Sequence, residues 1–258
     1  MKLSCCGYSF RDQLTGGKMT METFLDKCVE LGFDGVELTQ YYFPEESDRY
    51  LNHVKREVFR RGLDISGTAV GGNFTNADAA AREKQVKHVL DWVEKSAKLG
   101  SPVLRVFAGG QPQGADLETA GSWVREGLAR CAEAGEKYGV ALGLENHGGL
   151  TANADGVLGL LRPFAGNPWV GLNLDFGNFT GDIYEQYGRC APVTITTHAK
   201  VTVRQGEGRE FVDYRQVVRI MREAGYKGYL AIEYEEPGDA LLGVDRFCAY
   251  LRGCLVDA

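Results

Sequence analysis

A regular alternation of strand-type and helix-type segments is the feature that most restricts how this 258-residue chain can fold. About eight strand–helix units follow one another, and no linker, low-complexity tract or change of composition interrupts them. Short apolar stretches, such as residues 3–10, are each followed by a longer segment with the apolar spacing of a helix. This alternation predicts parallel strands joined by right-handed crossovers.

Eight such units are typical of one closed (β/α)8 barrel, the TIM barrel, which commonly needs about 250 residues. We therefore predict an α/β fold with a single TIM-barrel domain over residues 1–258. The side chains at the carboxyl ends of the barrel strands would then surround the active site. A doubly wound open sheet is the alternative, but the glycine-rich phosphate fingerprint that this fold favours does not follow the first strand.

Helix boundaries are marked by capping residues and glycines. The sequence predicts long helices over about 78–99 and 118–138, each closed by a glycine, and a shorter helix after Thr20. The stretch VTVRQGEGREFV, residues 201–212, contains two glycines and is predicted to be a loop.

The last four predicted barrel strands each end in a residue type that binds metal ions. In VALGLENHGG, Leu142 and Leu144 alternate with Gly143 and Glu145, so that the acid and the leucines would face opposite sides of the strand. VGLNLDFGN, VTITTHAK and YLAIEYEE repeat this design, and their polar sides end at Asp175, His198 and Glu233. In VTITTHAK, strict alternation places Val193 and Ile195 opposite Thr194, Thr196 and His198.

Convergence of these four residues would favour a bound cation. Neighbouring strands lie about 5 Å apart, so the four ends can meet near the barrel axis. Buried carboxylates repel one another unless a positive charge compensates them. An oxygen-rich set with one imidazole favours Mn²⁺, Mg²⁺ or Co²⁺ over zinc. The alternative is a salt-bridged rim in which Lys200 and Arg105 balance the acids, with Glu37 as a further partner for Arg105.

The segments FDGVEL, GLENH, LNLDFGN, THAK and GYKGYLAIEYE together give the chain a family resemblance. Over essentially its whole length it resembles the sugar phosphate isomerase/epimerase group of xylose isomerase-like TIM barrels. The resemblance implies one divalent metal ion, Mn²⁺ first, with Mg²⁺, Co²⁺ or Zn²⁺ as alternatives. Its ligands would be Glu145, Asp175, His198 and Glu233. It also implies that Glu145 and Glu233 are catalytic, moving a proton next to a sugar carbonyl through an enediolate, and that the protein is a homo-oligomer.

Four further residues are candidates for substrate binding. His147 follows Glu145 by two residues and would bind a substrate oxygen or cap the loop. Lys200 would lie on the same side of its strand as His198, and it would reach the substrate or lie at the surface. Arg105 is a charged residue at a position that would face the barrel interior. Asn178 stands where ketose 3-epimerases carry a substrate-binding histidine. That departure keeps a keto-sugar or inosose dehydratase (lyase) open as the alternative function.

Composition excludes or disfavours other classes. A formal net charge of −6 disfavours nucleic-acid binding, and four histidines are few for the zinc cluster of abasic-site endonucleases, which share this barrel. A non-catalytic sugar-binding barrel is a third possibility, which four intact ligands disfavour. No apolar signal-peptide core or membrane span is seen, and the seven scattered cysteines indicate free thiols. We therefore expect a cytoplasmic enzyme whose partner is a small sugar or keto-sugar.

Overall fold

Eight parallel strands close into a barrel in the computed structural model, which describes residues 1–110, 112 and 114–257. Around the ring each strand lies beside the preceding barrel strand of the sequence, and the last one pairs with the first. The barrel strands are β1 (Lys2–Cys6), β2 (Gly35–Thr39), β3 (Asp64–Ala69), β4 (Val103–Phe107), β5 (Ala141–Glu145), β6 (Val170–Asp175), β7 (Thr194–Ala199) and β10 (Tyr229–Ile232). The prediction of a TIM barrel is confirmed.

Helices cover the outside of the barrel. They are α1 (Arg11–Thr15), α2 (Met21–Glu30), α3 (Asp48–Arg60), α4 (Ala79–Leu99), α5 (Leu117–Tyr138), α6 (Ala154–Leu161), α7 (Ile183–Cys190), α8 (Tyr214–Glu223) and α9 (Ala240–Asp257). The carboxylates of Asp78 and Asp116 cap α4 and α5 by accepting backbone N–H groups that have no partner within the helix. Both helices end at glycines with a left-handed conformation, Gly100 (φ 87°) and Gly139 (φ 73°). Both predicted helices are therefore found within one residue of their expected bounds.

The main apolar core lies between the barrel and its helices. Leu142, Leu144, Leu172 and Leu174 are fully buried on the outer side of their strands, as their alternation predicts. The barrel interior is tightly filled: a Cβ on Gly143 would lie 3.2 Å from Cγ2 of Thr196. All seven cysteines are buried and free, which confirms that prediction. Among the described residues, no helix combines the length and apolarity needed to cross a membrane.

Two predictions about the strands near β7 were wrong. Residues 201–212 do not form an irregular loop, because β8 (Thr202–Gln205) and β9 (Gly208–Phe211) pair as an antiparallel hairpin. Gly206, with φ 57°, provides the left-handed turn conformation that a two-residue connection needs. Alternation in β7 is also broken, since Leu172 pairs with Thr194 and Asn173 with Thr196. Paired residues of neighbouring strands face the same side of the sheet, so Thr194 lies outward with Leu172 instead of inward with Thr196, and Ile195 is the extra residue of this bulge.

Candidate active site

The buried charged side chains of the described residues all belong to one cluster at the carboxyl ends of the barrel strands. Each is at most 5% exposed. They are Glu37, Arg105, Glu145, Asp175, His198, Lys200 and Glu233. Strand alternation explains this gathering, because each residue takes an inward position. Glu37 and Arg105 lie in the middle of β2 and β4, and the other five lie at or next to the ends of the last four barrel strands.

The four predicted ligand residues do meet at one point. One donor atom from each of Glu145, Asp175, His198 and Glu233 lies within 4.8 Å of the others. Nδ1 of His198 is 3.4 Å from Oε2 of Glu145, 3.4 Å from Oε2 of Glu233 and 3.8 Å from Oδ2 of Asp175. This spacing allows the four donors to hold a single ion.

Glu37 fixes the histidine from the opposite side. Nε2 of His198 lies 3.0 Å from both carboxylate oxygens of Glu37. A hydrogen on Nε2 would therefore be donated to Glu37, which leaves Nδ1 with a free lone pair directed at the three other acids. The expected pairing of Glu37 with Arg105 is replaced by this contact. Only the inward parity of Glu37 in FDGVEL suggested its presence in the site.

Arg105 instead pairs with Glu145. Its Nε lies 3.1 Å from Oε2 of Glu145, and Nη1 donates to the carbonyl of Val70 at 3.1 Å. The guanidinium also stacks on the ring of Phe107, with Cζ 4.0 Å from the ring centroid. Burial opposes ionisation of Glu145, but Arg105 and His198 hold the pKa of that carboxyl below 4.5. Arg105 therefore keeps Glu145 charged and in place.

Lys200 is buried among carboxylates, so a surface position is excluded. Its Nζ lies 2.6 Å from Oε2 of Glu233, 2.8 Å from Oε2 of Glu235 and 3.5 Å from Oδ2 of Asp175. Burial opposes the charge on Glu233, but His198 and Lys200 lower the pKa of Glu233 well below 4.5. Each of the two acids predicted to be catalytic thus has its own cationic partner.

Two asparagines support Glu145, one of which the sequence analysis did not select. Nδ2 of Asn173 donates to Oε2 of Glu145 at 3.2 Å and lies 3.3 Å from Nδ1 of His198. Nδ2 of Asn178 donates weakly to Oε1 of Glu145 at 3.4 Å. Asn173 shares the inward parity of Asp175, which is the signal that could have identified it. Asn178 therefore contacts a ligand-type residue, while a role in substrate binding stays a prediction.

The cluster carries more negative than positive charge. Four buried carboxylates (Glu37, Glu145, Asp175 and Glu233) face two buried cations (Arg105 and Lys200), which leaves an excess of two negative charges when His198 is neutral. Burial, with the charges of Glu145 and Glu233, raises the pKa of Asp175 to about 7 in spite of Lys200. Burial opposes a charged imidazole, but Glu233, Glu37 and Glu145 raise the pKa of His198 well above 6.5. Both shifts follow from burial and from the excess of carboxylates around these two residues.

A divalent cation fits this site. Among the described residues, Oδ2 of Asp175 is a buried acceptor without a hydrogen-bond partner, and it belongs to the four-residue donor set. Three carboxylates and one imidazole are donors suited to a hard or borderline ion, and two positive charges would balance the buried excess. Glu145, Asp175, His198 and Glu233 could therefore hold such an ion.

A cavity of about 230 Å³ opens onto the cluster. Its lining includes both proton-transfer candidates together with aromatic side chains, and consists of Tyr8, Tyr41, Arg105, Phe107, Glu145, His147, Lys200, Glu233 and Glu235. The ring of His147 packs on Phe107 at a centroid distance of 4.5 Å, which places His147 in the wall of the cavity. A larger groove of about 600 Å³ between α5 and α6 contains none of these residues. The smaller cavity is therefore the candidate substrate site.

Comparison with known sequences gives the following relatives. The sequence model of the family described as "Xylose isomerase-like TIM barrel" matches residues 25–252. A human protein named "Putative hydroxypyruvate isomerase" is 25% identical over 258 aligned positions, which cover 85% of this chain and 85% of that protein. The range matched by the family model leaves out β1 and spans the positions of all four ligand-type residues.

Solved structures show the same fold. D-psicose 3-epimerase from Clostridium cellulolyticum H10, solved with D-tagatose, has a TM-score of 0.81 at 16% identity and covers 99% of each chain. A xylose isomerase-like TIM-barrel protein from Mycobacterium smegmatis, solved in complex with magnesium, has a TM-score of 0.75 at 19% identity. That alignment covers 98% of this chain and 96% of the other. At these identities the likeness establishes the fold alone.

Proposed function

The chain belongs to the xylose isomerase-like TIM barrel family, and on this premise we propose that it is a divalent-metal-dependent sugar isomerase or epimerase. One observation carries the proposal: Glu145 and Glu233 both line the cavity, and each lies 3.4 Å from Nδ1 of His198. They come from strands separated by β6 and β7, so two carboxylates reach one small cavity from different sides. The hydroxypyruvate isomerase and epimerase names of its relatives support the same class of reaction.

Proton transfer next to a carbonyl is the reaction that these residues suit. A bound Mn²⁺ or Mg²⁺ ion, held by Glu145, Asp175, His198 and Glu233, would supply Lewis-acid polarisation of a ketose carbonyl and its neighbouring hydroxyl. One of the two glutamates then removes the proton from the carbon next to that carbonyl, which leaves an enediolate. The other, after taking up a proton from solvent, gives that proton to the opposite face in an epimerisation or to the neighbouring carbon in an isomerisation, where the hydroxyl proton also passes from one oxygen to the other. The first glutamate then releases its proton to solvent.

The remaining residues position these two acids and the substrate. Arg105 and Lys200 hold Glu145 and Glu233 in their charged forms, which are the forms that can accept a proton. His147 and Phe107 provide an aromatic wall against which a sugar ring or chain can pack. Glu235, on the far side of Lys200, would accept hydrogen bonds from substrate hydroxyls. We also expect a homo-oligomer, as the resemblance implies.

Solvent exchange tests the proposal before the natural sugar is known. The Mn²⁺-loaded protein is incubated with a panel of ketoses, keto-glycosides and inososes in D₂O, and deuterium next to the carbonyl is followed by mass spectrometry. We expect exchange in the wild-type protein and a loss of at least about 10²-fold in Glu145→Gln and Glu233→Gln. Glu30→Gln, at an exposed position on α2, is the matched control.

Three outcomes decide between the functions. Exchange with unchanged mass apart from deuterium supports an isomerase or epimerase, whereas loss of water from the substrate would establish the dehydratase instead. Turnover that survives both glutamate substitutions, or that needs no divalent ion, would contradict the mechanism.

A further inference from the structure

A sulfur atom lies beside the proposed metal centre, although the sequence analysis assigned it no role. Cys6 is the last residue of β1, is fully buried and pairs in register with Glu37 on β2. Its Sγ lies 3.7 Å from Oε1 of Glu233 and 3.5 Å from Oγ1 of Thr39. The thiol therefore points into the barrel, at the side of Glu233 opposite to the oxygen that contacts Lys200.

Cys6 forms a second donor set with two members of the first. One donor atom from each of Cys6, His198 and Glu233 lies within 4.8 Å of the others. Two of these three residues also belong to the set with Glu145 and Asp175. Glu37 engages Nε2 of His198, so both sets depend on the single lone pair of Nδ1, and that lone pair can bind only one ion at a time.

The two sets differ in the metals that they favour. Three carboxylates and an imidazole suit Mn²⁺ and Mg²⁺, whereas a thiolate with an imidazole and one carboxylate suits thiophilic ions such as Cd²⁺ or Zn²⁺. A thiol binds as the thiolate, and its proton is released to solvent when the metal binds. Cys5, the preceding residue, faces the other side of β1 by strand alternation and cannot take this role.

We propose that Cys6, His198 and Glu233 form an overlapping position for a thiophilic divalent cation, whose occupation excludes the hard metal ion. An ion in this position removes His198 and Glu233 from the four-ligand set. Zn²⁺ or Cd²⁺ would therefore displace Mn²⁺ by binding at the overlapping position, and not by binding to the same four residues as Mn²⁺. The position depends on the geometry of the three residues and not on the reaction that the enzyme performs.

Cadmium absorption provides the test. Metal-free, full-length protein is titrated with Cd²⁺, and the near-ultraviolet sulfur-to-cadmium charge-transfer band is recorded with the number of ions bound. We expect one Cd²⁺ per chain with this band in the wild-type protein and in the control Cys5→Ser. Cys6→Ser and Cys6→Ala should lose the band and bind Cd²⁺ about tenfold or more weakly, as expected when a metal-site group is removed.

A competition experiment tests exclusion. Cd²⁺ should release one Mn²⁺ per chain from the wild-type protein, followed by the electron paramagnetic resonance of free Mn²⁺. A band that persists in both Cys6 variants, with circular dichroism confirming that they fold, would overturn the proposal, as would joint binding of one Cd²⁺ and one Mn²⁺. A Cys6-dependent Cd²⁺ band in a protein that shows no ketose exchange would uphold this position and refute the proposed function.

Discussion

His198 and Glu37 are 161 residues apart in the sequence, yet Nε2 of the imidazole lies 3.0 Å from both carboxylate oxygens of the acid. This contact fixes the orientation of the ring. Nδ1 is consequently directed at Glu145, Asp175 and Glu233, which is the arrangement that a metal-binding histidine needs. Glu37 therefore acts through His198 rather than by direct contact with an ion or substrate.

Replacing Glu37 by glutamine should weaken metal binding. Glutamine keeps the size of the side chain, but its amide offers the histidine only one weaker, uncharged acceptor. We expect the affinity for Mn²⁺, measured by calorimetric titration, to fall about 10- to 100-fold, the usual effect of losing such an outer partner. Glu30→Gln on exposed α2 is the control. Equal Mn²⁺ affinity of the two variants would show that Glu37 does not orient the ligand.

Removing the charge of Arg105 should destabilise the metal-free protein more than the metal-loaded protein. Arg105→Met leaves Glu145 buried beside Asp175 and Glu233 without its strongest partner. Breaking a buried ion pair from one side typically lowers the free energy of unfolding by about 3–5 kcal/mol. Saturating Mn²⁺ would supply a replacement positive charge, so we expect Arg105→Met to lower the free energy of unfolding by less in its presence. Urea unfolding with and without Mn²⁺ measures both values, and identical losses would contradict a cation beside Glu145.

Strand periodicity made the convergence of the four ligand-type residues predictable. Glu145, Asp175, His198 and Glu233 each follow a short apolar alternation, and parallel strands bring such ends to the same rim. The same alternation allowed Lys200, two residues beyond His198, an inward position, but the sequence left a surface position open. The local sequence pattern was sufficient to predict these inward positions, because the alternation within each strand determines which side its residues face.

Pairings between distant strands were not predictable in this way. Glu37 and Arg105 are both inward, and the sequence offered no means of deciding which acid each would meet. The bulge at Ile195 turns Thr194 to the outer face, and no glycine or proline within β7 indicates it. The hairpin at residues 202–211 was missed because two glycines suggested irregular structure, although one of them forms its turn. The pairings of Glu37 and Arg105 depend on side-chain packing across the barrel, whereas the hairpin is a local structure outside it.

The largest buried side chain in the core offers a test of packing. Trp92 on α4 is fully buried and contacts Phe43 edge to face, with ring centroids 5.5 Å apart. Trp92→Ala should lower the free energy of unfolding by about 3–5 kcal/mol, because it removes buried apolar area and leaves a cavity. Phe59, which is 81% exposed, is the control, and Phe59→Ala should change stability by less than about 0.5 kcal/mol. Chemical denaturation measures both changes.

Acid stability should depend on Asp64 at the opposite end of the barrel. Oδ2 of Asp64 accepts hydrogen bonds from Nζ of Lys2 at 2.8 Å and from Oη of Tyr229 at 2.6 Å. Lys2 and then Tyr229 lower the pKa of Asp64 below its ordinary value of 3.8. The folded state therefore gains stability from the ionised acid above pH 3.8, and this gain is lost as the pH falls through the lower, folded-state pKa.

The stability of Asp64→Asn should consequently depend less on pH in the acid range than that of the wild-type protein. We expect the variant to be less stable than the wild-type protein near neutral pH and to approach it as the pH falls below about 4. Melting temperatures measured over this range check the prediction. Glu207→Gln, at the exposed turn of the hairpin, is the control. A constant difference between Asp64→Asn and wild type at every pH would contradict a role for ionisation.

The site draws its parts from both halves of the polypeptide. Cys6, Glu37 and Arg105 lie on β1, β2 and β4, while the four ligand-type residues lie on β5, β6 and β7 and directly after β10. The ring closes only when the last strand pairs with the first. A chain still emerging from the ribosome therefore cannot complete the centre. It would acquire its orienting acid and its final ligand-type residue together, in the step that closes the barrel.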